Sequence, residues 1–238
     1  MFKRILVLLL LMFALVSAGA CAAGKPGESL KKDFPDLKFD SIKETVIKGL
    51  YEVVVEGNIL YYYPEKSLIV AGHIYAKDKK DLTAERINEL VAAKAKDIPT
   101  DKAVKHGNGK NVVVEFTDPD CPFCRKMSAY LKTRTDLTVY TFLFPLTQIH
   151  PKAEAKAKWV LCSKDPVKAL DEVMEGKHDN DELKLCNDPK IDTLLQEHIN
   201  LGGKLGIRGT PAFFINGTFI NGADIKKFEA AIAGGTPK

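Results

Sequence analysis

The chain has 238 residues, is 45% hydrophobic and carries a formal charge of +4. This composition excludes a disordered chain and allows one or two packed domains. No Lys/Arg cluster is dense enough for a nucleic-acid footprint, so no nucleic-acid partner is expected.

Residues 1–20 read as a signal peptide rather than as part of the fold. Lys3 and Arg4 precede an apolar run over 5–16, and Ser17, Ala18, Gly19 and Ala20 follow as small residues. The run is shorter than the roughly 20 residues of a membrane span, although an N-terminal anchor is the alternative. Cys21 comes directly after the expected cleavage point. Ala18-Gly19-Ala20-Cys21 resembles a bacterial lipoprotein signal, which would lipidate Cys21; ordinary cleavage after Ala20 is the rival reading. Residues 21–28 form a tether.

A short helix is expected at 29–33. Strands follow at 51–55, 59–63 and 68–76, with turns at Gly57-Asn58 and at 64–67. This small antiparallel meander, 29–79, buries too little surface to stand securely alone and is expected to pair. Tyr61, Tyr62 and Tyr63 read as alternating core and surface aromatics. A linker helix, 80–98, is capped by Asp81 or Thr83 and ends at Ile98-Pro99. From 99 to 238 a second domain reads as strand 112–116, helix 122 to about 134, strand 137–146 and a helical insertion over about 147–200. The hairpin 213–215/218–220 and helix 225–232 close it. Inside the insertion, one helical stretch covers 152–174 and another starts at Asp188-Pro189. The order is thioredoxin-like, and the fold class is α+β.

Export directs the cysteines toward pairing. Cys121-Pro122-Phe123-Cys124 follows a strand and opens a helix. There, unpaired N–H groups and the helix dipole favour a thiolate on Cys121. Cys124 lies one turn behind and can expel a bound substrate. A zinc half-site and a purely structural disulfide are the alternatives; zinc needs two more ligands, no second CxxC exists, and His106 and His150 are isolated. No metal or cofactor is expected. Glu115 interrupts an apolar strand and shares a face with Val113. If that face is inward, its carboxyl can relay a proton for Cys124; a solvent-reaching Glu is the alternative. Pro211 follows a Gly-rich approach and is a candidate cis proline, which would set the Thr210 backbone beside the cysteines; an ordinary trans turn proline is the alternative. Cys162 and Cys186 read as a structural bridge in the insertion, with free thiols or a second redox pair as alternatives.

Several of these stretches together resemble the periplasmic thiol:disulfide interchange proteins of the DsbC/DsbG type. They are 116–124 (FTDPDCPFC), Phe144-Pro145, 159–165 (WVLCSKD), 201–206 (LGGKLG) and 209–212 (GTPA), with the meander from Gly57 to Tyr75. The resemblance implies a homodimer paired through the meander, with strand 68–76 and Gly72 near the interface. It implies Cys121 as nucleophile, Cys124 as resolving thiol, and Thr210 and Pro211 as the substrate-contacting loop. It also implies misfolded, disulfide-containing exported proteins as substrates and reduction by a membrane electron donor of the DsbD kind. Pro122-Phe123 looks more like the G-type dipeptide. Glu115 stands where these isomerases usually carry an apolar residue and where the oxidase DsbA carries an acid. A DsbA-like oxidase is therefore the second reading, and a non-catalytic holdase the third.

Overall fold

The computed structural model describes residues 25–234. The expected signal peptide and Cys21 lie outside the described residues. The chain divides into two compact units after Gly72.

The first unit opens with helix α1 (Pro26–Asp33), whose proline occupies the first turn. Strands β1 (Ser41–Glu44), β2 (Tyr51–Val55), β3 (Asn58–Tyr63) and β4 (Leu68–Val70) form one antiparallel sheet in chain order. Val55 pairs with Asn58, so Glu56-Gly57 is the hairpin turn, one residue earlier than expected, and both residues take positive φ. β1 was not expected, and β4 stops at Val70 rather than 76. Leu30, Val53 and Tyr62 make the core, and the Tyr62 hydroxyl donates to Asp33 at 2.5 Å, tying α1 to the sheet. Tyr61 is buried as well, so Tyr63 is the partly exposed member of the three tyrosines.

The second unit starts at His73, earlier than the expected boundary, and includes the helix read as a linker. Helix α2 (Leu82–Ala92) is capped by Asp81, which accepts from the Ala84 N–H at 2.9 Å. Its apolar stripe is not left to solvent. Ile87 and Val91 pack into the core that holds Phe116, Phe142 and Phe214. The helix stops at Ala92, and a 3-10 turn follows at Ala95–Asp97.

The unit's sheet contains β5 (Val104–His106), β6 (Asn111–Thr117), β7 (Leu137–Leu143), β8 (Ala212–Ile215) and β9 (Thr218–Asn221). Their order is β5-β7-β6-β8-β9. β6 and β7 run parallel, joined by helix α3 (Pro122–Leu131); the other neighbours are antiparallel. The insertion holds α4 (Ala153–Cys162), α5 (Pro166–Met174) and most of α6 (Pro189–Leu205), and α7 (Ile225–Ile232) closes the unit. The stretch expected as one helix over 152–174 is two, because Asp165 caps a new start and Pro166 fits only its first turn. α6 begins at the expected Asp188 cap and ends at Gly206, whose φ of +89° suits glycine.

Candidate active site

β6 is the central strand, and its C-terminal end delivers the chain into the loop before α3. Cys121 is the N-cap of α3, and Pro122 occupies the first turn, where no N–H is needed. Cys121 and Cys124 are free and both buried. The Cys121 thiol is drawn down to about 5. Its main cause is the neighbouring Cys124 thiol, followed by the Cys124 N–H, the Thr210 hydroxyl and the Phe123 N–H; burial opposes them. Cys124 is pushed far up, by burial first and by Cys121 second. One thiol is therefore a thiolate at neutral pH and the other holds its proton.

The Thr210-Pro211 peptide bond is cis. The Thr210 carbonyl oxygen lies 3.5 Å from Cys121 Sγ, so the loop before β8 and the start of α3 meet at the nucleophilic sulfur. Phe123, at 63% exposure, stands out beside the pair.

Asp118, which the motif reading passed over, organises the loop. Its carboxylate is fully buried. One oxygen accepts from the Asp120 N–H at 2.8 Å; the other accepts from the Leu146 N–H at 2.7 Å and pairs with His150 Nδ1 at 3.0 Å. Its backbone N–H reaches Cys124 Sγ at 3.4 Å, and its carbonyl accepts from the Cys121 N–H at 3.1 Å. His150 is thus not isolated. Nearby, Lys156 is buried between Asp120 and Asp179, and Arg125 on α3 donates to Asp179 at 2.6 and 2.8 Å. This network ties the residue before Cys121 to the insertion.

Glu115 faces inward. The register sets it opposite Thr141, whose hydroxyl donates to Oε2 at 3.1 Å. At 3% exposure its carboxyl is raised to about 7 by burial, against the pull of Thr141 and Thr117. Oε1 has no hydrogen-bond partner among the described residues.

Two cysteines of the insertion lie apart from this pair. Cys162 and Cys186 are bonded to each other, with Cα atoms 5.7 Å apart. Gly72 is exposed at the end of the first unit, two residues past β4. No group of three or more metal-ligating side chains occurs among the described residues. His198, fully buried, is a core histidine, accepting from the Leu143 N–H and pairing with the Lys102 carbonyl.

Residues 98–233 match the family model described as "Thioredoxin-like domain". The chain belongs to the thioredoxin-like family. Residues 17–84 match a second model, "Disulfide bond isomerase protein N-terminal domain". A probable thiol:disulfide interchange protein DsbC of Bordetella avium is 36% identical over 185 residues, which are 76% of this chain and 63% of the relative. The thiol:disulfide interchange protein DsbC of Escherichia coli K12 is 28% identical over 192 residues, 78% of this chain and 77% of the relative. The crystal structure of a disulfide interchange protein from Neisseria gonorrhoeae superposes with a TM-score of 0.50 at 33% identity, covering 59% of this chain and all of that one. The thioredoxin-like domain carries the free cysteine pair, and the relatives are named for thiol:disulfide interchange. Together these support thiol–disulfide oxidoreductase activity.

Proposed function

We propose that this protein is an exported thiol:disulfide interchange protein that isomerises or reduces incorrect disulfides through the Cys121–Cys124 dithiol. One observation carries the reading: a thiol lowered to about 5 at the start of α3, beside the Thr210 carbonyl, with a protonated, buried thiol one turn behind. Cys121 attacks a substrate disulfide and forms a mixed disulfide. A substrate thiol then rearranges it, or Cys124 releases it as the Cys121–Cys124 disulfide. Thr210 and Pro211 are positioned to meet an extended substrate segment. Misfolded exported proteins are the substrates, and a membrane donor of the DsbD kind returns the electrons. Residues 1–20 direct export, and Cys21 is the candidate for a lipid anchor.

The first unit supports a homodimer. Of its two sheet edges, β1 exposes Ser41, Lys43 and Glu44, whereas β4 exposes Leu68 and Val70. An apolar open edge invites a second strand. Gly72 lies just beyond it.

Trapping the native cell with acid and alkylating free thiols tests the direction of electron flow. A mainly reduced Cys121–Cys124 pair is expected. A mainly oxidised pair would replace this reading with a DsbA-like oxidase, which the buried Glu115 favours. Full function in Cys121→Ser would leave only a holdase.

A further inference from the structure

Asp118-Pro119-Asp120-Cys121 is a tight turn that holds one peptide still. The Cys121 N–H closes it on the Asp118 carbonyl at 3.1 Å, and Pro119 takes the second position, where its fixed φ suits such a turn. The Asp118 carboxylate folds back over the same turn through the Asp120 N–H at 2.8 Å. Its other oxygen reaches out of the turn, to the Leu146 N–H at 2.7 Å and to His150 Nδ1 at 3.0 Å. A carboxylate only accepts, so Nδ1 is the nitrogen that carries the hydrogen. Both of these donors belong to one turn after β7, which the His150 N–H closes on the Leu146 carbonyl at 2.9 Å. Among the described residues, His150 supplies the side-chain hydrogen bond to this carboxylate.

We propose that His150 is a positioning residue for the resolving step: through Nδ1 it fixes the Asp118 carboxylate, and through Asp118 it keeps one backbone N–H aimed at Cys124 Sγ. The proposal rests on Cys124 acting as resolving thiol and adds to that reading a residue outside the CxxC motif.

The Asp118 N–H lies 3.4 Å from Cys124 Sγ. A donor aimed at a sulfur favours its thiolate, and here it opposes the burial that keeps the proton on Cys124. Cys121 draws its support from other groups: the Cys124 thiol first, then the Cys124 N–H, the Thr210 hydroxyl and the Phe123 N–H. The two sulfurs therefore respond differently to a loosened Asp118. In the resolving step Cys124 gives its proton up to buffer base, and its sulfur forms the bond to Cys121 Sγ. The Cys121–substrate bond breaks, and the substrate sulfur leaves with the electron pair as a thiolate. The dithiol is oxidised by two electrons and the substrate disulfide is reduced. His150 gives no proton to this exchange; it aims the N–H that meets the charge forming on Cys124. Arg125 Nε donates to the Pro119 carbonyl at 2.8 Å, which keeps the Cys121 side of the turn in place without His150. The His150 side chain is 20% exposed and belongs to none of the apolar cores, so trimming it leaves them intact.

The reduced protein, mixed with an equimolar amount of Ellman's aromatic disulfide, separates the steps. The first aromatic thiolate released reports attack by Cys121, and the second reports resolution by Cys124. His150→Ala and His150→Gln are expected to slow the second phase about tenfold and to leave the first phase and the Cys121 thiolate midpoint near 5 unchanged. The Asn amide nitrogen stands as many bonds from the backbone as Nδ1 does, so His150→Asn should keep the wild-type second phase. The Gln amide is one bond too long, and this variant keeps the test open if His150→Ala fails to fold. Wild-type second phases in Ala and Gln would overturn the proposal. So would a His150→Asn as slow as His150→Ala, which would make the imidazole a proton carrier rather than a fixed donor. Two phases slowed together, with a displaced Cys121 midpoint, would overturn it as well, by showing a general distortion of the site. An absent first phase in the wild type would instead sink the dithiol reading itself.

Discussion

At the residue scale, two neighbouring sulfurs are shifted in opposite directions, Cys121 down chiefly through the Cys124 thiol and Cys124 up chiefly through burial. The thiolate absorbance of Cys121 should titrate near pH 5, and in Cys124→Ala the midpoint should rise, because the Cys124 thiol is the largest cause of the lowering. A depressed folded-state value stabilises the reduced protein above it. That contribution grows toward the ordinary value of 9.0 and is lost as pH falls through about 5. Glu115 has the opposite sign. Its carboxyl ionises near 4.5 when unfolded and near 7 when folded, so stability falls as pH rises across that window. Urea unfolding should find Glu115→Gln more stable than wild type at pH 8, by up to about 3 kcal/mol, and nearly equal at pH 5. Equal stability at both would mean that the carboxyl is not held in the protonated form. Cys121, Cys124 and Glu115 were legible because their signals are local: a spaced pair at a helix start and an acid inside an apolar strand. Asp118 and His150 were not. Asp118 meets Leu146 and His150 across some thirty residues of chain, and only the folded sheet brings them together.

At the scale of elements, long periodic segments were readable and two of the short edge strands were not. Helix 225–232 and the Asp188-Pro189 start are found where the sequence places them. β1 and β5 were missed because each is only a few residues long and shows little apolar alternation, and β5 also takes its partner from a distant stretch of chain. The fate of α2 was hidden for another reason: an amphipathic stripe says that it needs cover, not which surface supplies it. The Cys162–Cys186 bond spans 24 residues and ties the end of α4 to the segment before α6. Replacing both with alanine should lower unfolding stability by about 3 kcal/mol and leave the thiolate titration of Cys121 in place. A shift of that titration would show that the staple reaches the active site.

At the scale of the whole molecule, the division after Gly72 separates a small unit with an open apolar edge from a catalytic unit with its own cores. Leu68→Lys with Val70→Lys should halve the mass seen by sedimentation. Isomerase activity should fall in that variant while reduction of a small disulfide persists, because the cysteines and their partners all lie within the second unit. A mass unchanged by the pair of lysines would move the dimer contact away from β4.

Lys156 has an outcome for the chemist who labels proteins. It is enclosed by Asp120 and Asp179 in a lysine-rich chain, so amine-reactive reagents should modify the surface lysines and pass it by. Its modification, read by mass spectrometry, would then be a gauge of how often the insertion lifts from the loop that carries Cys121.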